Sequence, residues 1–246
     1  MSFTRDKALF YKNILLDHSE FKIWKHLKNG CSIGTLGYSE RNVKILYQLL
    51  QSFSEQYGEV IDMDAAREEL KYYQDHGKLF IYFDENGKAI SMNGVSYDED
   101  NISVQFLAED KRNTHSLYFY GLSTLPEYRG RGACRNLIHF AIEYAYYNQF
   151  DFVYARTDLV NSNSEWIMQN AGLEVCENDE GIIAEWVPVT EDVGDYRLHM
   201  WLPFKDDLYL EEKEGAFIAD SCTRKIKHKH VKKLKYNGGY YEKVCC

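Results

Sequence analysis

The sequence predicts an α/β (α+β) fold, a mixed and mostly antiparallel twisted sheet with helices on both faces. Three observations point there. Segments with apolar residues at helical spacing alternate with β-rich runs along the chain. Asn86-Gly87 lies between two of those runs and signals a tight hairpin, so antiparallel neighbours are expected. The resulting order is β, two helices, β-meander, helix, β, helix, β, β, which describes a mixed sheet covered on both sides.

The elements follow in order. Residues 1 to 30 mix aromatic, charged and aliphatic residues at roughly helical spacing and read as a helical N-terminal extension. "CSIGTLGYSE", from Cys31, reads as a short strand. In "NVKILYQLLQSFSEQYG", Val43, Leu46, Tyr47, Leu50 and Phe53 form one face of a helix. A second helix in "DMDAAREELKYYQDHG" is opened by Asp62 or Asp64 and closed by Gly77. "KLFIYFDENGKAISMNGVSY" is the hairpin. "ISVQFLAEDKRNTHSLYFYGLST" adds a short strand, a polar loop and a longer strand ending near Thr124. In "CRNLIHFAIEYAYYNQ", Leu137, Ile138, Ala141, Ile142, Tyr144 and Ala145 make a wide apolar face for a core helix. "FDFVYART" is a short strand. "SNSEWIMQNAG" carries Ser162 three residues before Glu165, a capping box, and ends at Gly172, a C-cap residue. "GIIAEWVPV" and "YRLHMWLPF" are the last strands. The chain thus divides into an extension (1–30), a central domain (31–204) and a C-terminal extension with a basic tail (205–246).

Composition narrows the function classes. At 246 residues and 45% hydrophobic the chain can bury a proper core, and 20 Tyr with 13 Phe make that core aromatic. No run approaches the ~18 apolar residues of a membrane span, and charges interrupt the start where a signal peptide needs an apolar stretch, so a cytoplasmic protein without membrane partners is expected. Six cysteines without C-x-x-C spacing indicate neither a disulfide framework nor a zinc site. The net charge of −9 is uneven: residues 221–246 hold eight Lys/Arg against one Glu, which leaves 21 against 37 acidic residues in positions 1–220. Such an acidic body attracts cationic small molecules or basic peptides and repels nucleic acid.

One stretch stands out. "LPEYRGRGACRNLI", residues 125 to 138, sets a proline, arginines and two glycines directly before an amphipathic helix. Such a turn either punctuates a strand-to-helix connection or offers backbone N–H groups and the positive end of a helix dipole to a phosphate.

With its context the stretch resembles the phosphate loop of the GNAT superfamily of acetyltransferases, and the likeness spans roughly residues 31 to 204. The family pattern is Arg/Gln-x-x-Gly-x-Gly/Ala; Arg129, Gly130, Arg131, Gly132, Ala133 and Cys134 occupy it, after a strand and "PEY". Cys134 is the one departure. A second family signature, an Asn after the next strand with a Gly eleven residues on, is matched by Asn161 and Gly172. The resemblance implies splayed central strands and acetyl-CoA as cosubstrate, with no metal. It implies a pyrophosphate on the 129–134 turn, a pantetheine arm beside Leu122, Ser123 and Thr124, and Asn161 near the thiol end. It further implies direct transfer to an amine, with a main-chain N–H at the oxyanion and an acid for the leaving thiolate. Where the family commonly has a Tyr acid this chain has Met168, so Ser164, Tyr120, Tyr154 or a water is the substitute, and Asp158, just past a strand end, is the candidate base.

The acceptor is less legible. "TLPEYRG", "ARTDLVN" and "DYRLHMWLP" look faintly like the β-lysine N-acetyltransferase branch, which agrees with an acidic body and a small cationic amine. A non-catalytic acyl-CoA-binding module stays open, as does transfer from another acyl or aminoacyl donor or onto a protein amine. The oligomeric state is open, a homodimer included. In the tail, Lys225, Lys227 and Lys229 alternate with Ile226, His228 and His230, which reads as an edge strand guarded by lysines. His228 and His230 are too few for a metal site. Cys245-Cys246 resembles a prenylated terminus without the host fold that would give it weight.

Overall fold

The computed structural model describes residues 5–57, 61–97, 115–159, 161–188, 194–204, 230–236 and 239–245; for 53–57, 188, 194, 195 and everything from 230 onward only the backbone is described. The main sheet has nine strands, with β1 (Phe21–His26), β2 (Ser32–Leu36), β3 (Gly77–Phe83), β4 (Ala89–Ser96), β5 (Ser116–Thr124) and β6 (Phe152–Asp158) side by side. β9 (Gly194–Pro203) pairs with β6 on one edge, and with the two-residue β7 (Glu174–Val175) and β8 (Ala184–Pro188) on the other. Every pairing is antiparallel except β5 with β6. A parallel pair needs a crossover, and α4 (Ala133–Tyr147) supplies it.

Helices cover both faces. α1 (Arg5–Leu16), α4 and α5 (Ser162–Asn170) share one core with Phe80, Val95, Leu117, Val153 and Met200. α2 (Glu40–Tyr57) and α3 (Met63–His76) share a second core with Leu79, Ile81 and Met92. In α2 the buried stripe is Val43, Leu46, Leu49 and Leu50, each burial contributing about 1.5–3 kcal/mol; Tyr47 stays half-buried. Asp62, rather than Asp64, caps α3 by accepting the Ala65 N–H at 2.8 Å. Gly77 caps the C-terminus of that helix, its N–H donating to the Tyr73 carbonyl, and a side chain is excluded there because a Cβ would lie 1.9 Å from the Val95 carbonyl oxygen. The Asn86-Gly87 hairpin is closed by Asp84, whose Oδ1 accepts from the N–H groups of Asn86 and Lys88, with Gly87 at φ +77°.

Two sequence expectations need correction. Residues 1–30 are not helical throughout: 5–16 are, but 21–26 form β1, which pairs with β2 and extends the sheet. The helix itself is bound into the core, with Tyr11 stacked on Tyr147 at 5.2 Å and its hydroxyl donating to Glu143 of α4. The capping box at Ser162 is also displaced, because Asn161 is the N-cap of α5 and accepts the Ser164 N–H at 3.1 Å. Glu165 turns inward and is buried.

The short strand in "ISVQF" and the lysine alternation before His230 lie outside the described residues. Downstream, β10 (His230–Tyr236) and β11 (Gly239–Cys245) form an antiparallel hairpin of their own.

Candidate active site

The centre of the sheet is open. β5 and β6 are in register from Ser116↔Phe152 to Phe119↔Ala155, and there the pairing stops. Both strands run on, to Thr124 and Asp158, so the main-chain groups of that stretch of β5 that face β6 have no ladder partner there. On its other edge β5 carries a bulge. Met92↔Ser123 and Gly94↔Tyr120 leave Gly121 and Leu122 opposite Asn93 alone. Gly121 takes φ +64°, which a side chain would resist. The bulge bends β5 where the gap opens.

Beyond β5 the chain makes a 3-10 turn at Pro126–Tyr128 and enters α4 through Gly130 and Gly132, at φ +75° and +83°. A Cβ on either glycine would meet nothing within 4 Å, so the turn faces open space. Gly132 provides α4 with no side-chain cap, and the first helical bond is Asn136 N–H to the Gly132 carbonyl at 3.0 Å. The amides of Ala133, Cys134 and Arg135 therefore precede the ladder at the positive end of the helix. An uncapped N-terminus behind two left-handed glycines suits an anionic group, so the residues present fit a pyrophosphate. Arg131 donates to the Glu127 carbonyl and its guanidinium lies 5.2 Å from the Tyr128 ring centroid. Burial pushes the Cys134 thiol up to about 12, so this small side chain stays neutral.

The α3 side of the gap is polar. Tyr118 and Tyr120 of β5 project there, Tyr120 half-exposed and 6.4 Å from the Tyr73 ring of α3. A Cβ on Gly121 would lie 3.6 Å from Tyr73 Oη and 3.7 Å from Glu69 Oε1, which sets both groups at the bulge. Burial pushes the Glu69 carboxyl up to about 7, with the Tyr73 hydroxyl opposing. That hydroxyl is itself buried without reaching hydrogen-bond geometry to any described group. Further along, Arg156 Nε donates to the Tyr118 hydroxyl at 3.2 Å and Nη1 to Glu185 at 3.2 Å. Glu185 also lies 3.4 Å from His199 Nε2, and His199 Nδ1 meets the Tyr154 hydroxyl. Burial disfavours the charged imidazole of His199 and lowers its pKa; burial would raise the Glu185 carboxyl, but His199 and Arg156 hold it below the usual range.

The residues expected from sequence are placed as follows. Leu122, Ser123 and Thr124 end β5 at the gap, but the Ser123 carbonyl accepts from Ser91 Oγ at 2.7 Å and the Thr124 carbonyl from Arg129 Nε at 3.1 Å. Arg129 is thus folded back along the strand end. Gly130 to Cys134 form the turn that leads into α4. Asn161 and Ser164 start α5, the Asn161 side chain capping it, while Met168 packs into the α4-side core. Asp158 ends β6, buried and ion-paired with Arg197 across the β6–β9 register. Tyr120 faces α3, and Tyr154 is held by His199. Glu69, Tyr73, Arg156, Glu185 and His199 escaped sequence reasoning. Gly121, a lone glycine inside "LYFYGLST", was a legible sign of the bulge.

Comparison with known proteins agrees with this geometry. The family model for the GNAT acetyltransferase family matches residues 43–165, half of the chain. The protein belongs to the GNAT acetyltransferase family and is an acyltransferase. Among solved structures it is similar to a ribosomal-protein-alanine N-acetyltransferase from Brucella melitensis, at 15% identity and TM-score 0.53, over 69% of this chain and 99% of that one. A structure from Salmonella typhimurium assigned as an acetyltransferase, with its cofactor acetyl-CoA, aligns at 13% identity and TM-score 0.53 over 73% and 97% of the two chains. Spermidine N-acetyltransferase from Vibrio cholerae, in complex with CoA and spermine, aligns at 14% identity and TM-score 0.52 over 70% and 95%. No curated protein matches the sequence. Among the described residues no helix is long and apolar enough to cross a membrane, and no cluster of metal-ligating side chains occurs.

Proposed function

We propose that the protein transfers an acetyl group from acetyl-CoA to a primary amine on a small cationic acceptor. The observation that carries this reading is the parallel β5–β6 pairing that stops at Phe119↔Ala155 directly before an uncapped, glycine-lined helix N-terminus. The amides at the start of α4 hold the pyrophosphate, Arg131 adds positive charge, and the open edge of β5 near Leu122 receives the pantetheine arm. Bound acetyl-CoA supplies an activated thioester. Leu122, which the bulge takes out of the β4 ladder, is the proposed main-chain donor to the oxyanion. Tyr120 and Ser164 are the candidate proton donors, and Asp158 and Asn161 flank the far side of the gap.

The acceptor class rests on charge. Residues 1–220 are strongly acidic, which raises the local concentration of a cation, and a carboxylate waits at the bulge on the α3 side. The Vibrio cholerae neighbour is a spermidine N-acetyltransferase, which agrees with a polyamine or amino-acid acceptor; the Brucella melitensis neighbour acts on a ribosomal protein. The test is incubation with acetyl-CoA and lysine, β-lysine, polyamines, aminoglycosides or basic peptides, following thiol release and acetylated products by mass. Acetylation of a small cationic amine is the expected result. Acetylation of peptides alone would overturn the acceptor class, and CoA binding without turnover on any amine would leave a binding module in its place.

A further inference from the structure

Resting on the acetyl-transfer reading, we propose that Glu69 is the proton acceptor for the incoming amine, a carboxylate placed by α3 at the Gly121 bulge on the face opposite α4. Its position follows from the helix. Ala66, Leu70 and Tyr73 form the buried stripe of α3, and Glu69 lies on the edge of that stripe, one turn before Tyr73. A carboxylate there is held half-buried against the sheet face by its helix. At Gly121 the absence of a side chain leaves Glu69 Oε1 and Tyr73 Oη facing the β5 backbone. That backbone is the one beside which the thioester would lie. The pyrophosphate turn belongs to α4 on the other face, so acceptor and cosubstrate approach the gap from opposite sides of the sheet.

The surroundings suit a base. Among the described residues the titratable group that acts on it is Tyr73 of its own helix; Tyr72, Tyr118 and Tyr120 surround the Tyr73 hydroxyl in turn, and β4 presents Met92 and Gly94 beside it. Burial is the first cause of its raised pKa, and no cation acts on it among the described residues. A carboxyl titrating near the working pH is matched to taking a proton and releasing it to solvent. Asp158, at the end of β6, is engaged by Arg197, and Glu185 by Arg156 and His199.

The step balances as follows. Glu69 takes one proton from the acceptor ammonium, leaving a neutral amine. The amine nitrogen forms a C–N bond to the thioester carbonyl and the C–S bond breaks, its electron pair leaving on sulfur. A second nitrogen proton passes to that thiolate, giving the amide and CoA thiol, and the proton on Glu69 is released to water.

The experiment compares wild type, Glu69→Gln and Glu69→Asp with the best amine of the panel. Each is measured for CoA affinity by calorimetry and for kcat/KM from pH 5 to 9. Wild type should show a limb near pH 7. Glu69→Gln should keep CoA affinity, lose that limb and fall on the order of 10²-fold or more in kcat/KM, with Glu69→Asp between the two. An unchanged rate and profile in Glu69→Gln, with wild type active, would overturn the role of Glu69 alone. Failure of wild type to bind CoA or to acetylate any primary amine would overturn the transfer reading and this proposal with it.

Discussion

Gly132→Asp is the sharpest test of the phosphate turn. Gly132 sits at φ +83° with open space where a Cβ would stand, so substitution brings backbone strain but no clash. The strain of a left-handed non-glycine residue is about 1–2 kcal/mol, and Gly132→Ala carries it too. What Asp adds is a carboxylate at the mouth of the turn. A unit charge about 4 Å from a phosphate oxygen, at an effective dielectric of ~20, is opposed by about 4 kcal/mol. That corresponds to roughly a thousandfold in Kd. Calorimetric titration with CoA should therefore show a large loss for Gly132→Asp beyond that of Gly132→Ala, and the difference should shrink as salt is raised. Equal CoA affinity in the two variants would refute the assignment of the α4 N-terminus as the anion site.

Asp158→Asn should spare CoA affinity and lower the transfer rate by less than Glu69→Gln does, with about 2 kcal/mol lost from stability as Arg197 loses this partner; a rate loss as large as that of Glu69→Gln would move the base role to Asp158. Gly94→Ala should cost about 1–3 kcal/mol in denaturant unfolding, because its Cβ would fall 1.9 Å from Tyr73 Oη, and an unchanged midpoint would contradict the packing of α3 on β4. Glu69 should also tie stability to pH. Its folded pKa, about 7, lies above the usual 4.5, so the stability it contributes is full below about 4.5 and lost as pH rises through 7. Glu69→Gln should accordingly match wild type at pH 4.5 and exceed it at pH 8 in thermal unfolding, whereas parallel curves would mean that the carboxyl is not buried.

Elements with strong local signals were legible in the sequence. Asn86-Gly87 closes its hairpin through Asp84, and the α2 periodicity became the buried stripe Val43, Leu46 and Leu50. β1 was missed because "FKIWKH" is a half-exposed edge strand, with the burial pattern of an irregular, bulged ribbon rather than a clean alternation. The cap of α5 was placed one residue late because Asn161 and Ser162 are both good caps, and only the backbone conformation decides between them.

The site divides along a physical line. The phosphate turn is local: consecutive residues build it, glycine marks its backbone, and a helix start follows, so one stretch of sequence contains it whole. The polar groups on the α3 side of the gap, the proposed base among them, are not local. Glu69 and Gly121 are separated by two strands and a long connection, and Arg156, Glu185 and His199 come from three strands that meet only through sheet pairing. In "AAREELKYYQ" Glu69 looks like any charge on an amphipathic helix, and what distinguishes it is the bulge opposite, which keeps β5 on β4 while bending it where its pairing with β6 stops. The distortion that exposes β5 to a cosubstrate is therefore the same one that brings a carboxylate to the reaction centre. Displacing Gly121 should disturb both functions together, while Glu69→Gln separates them.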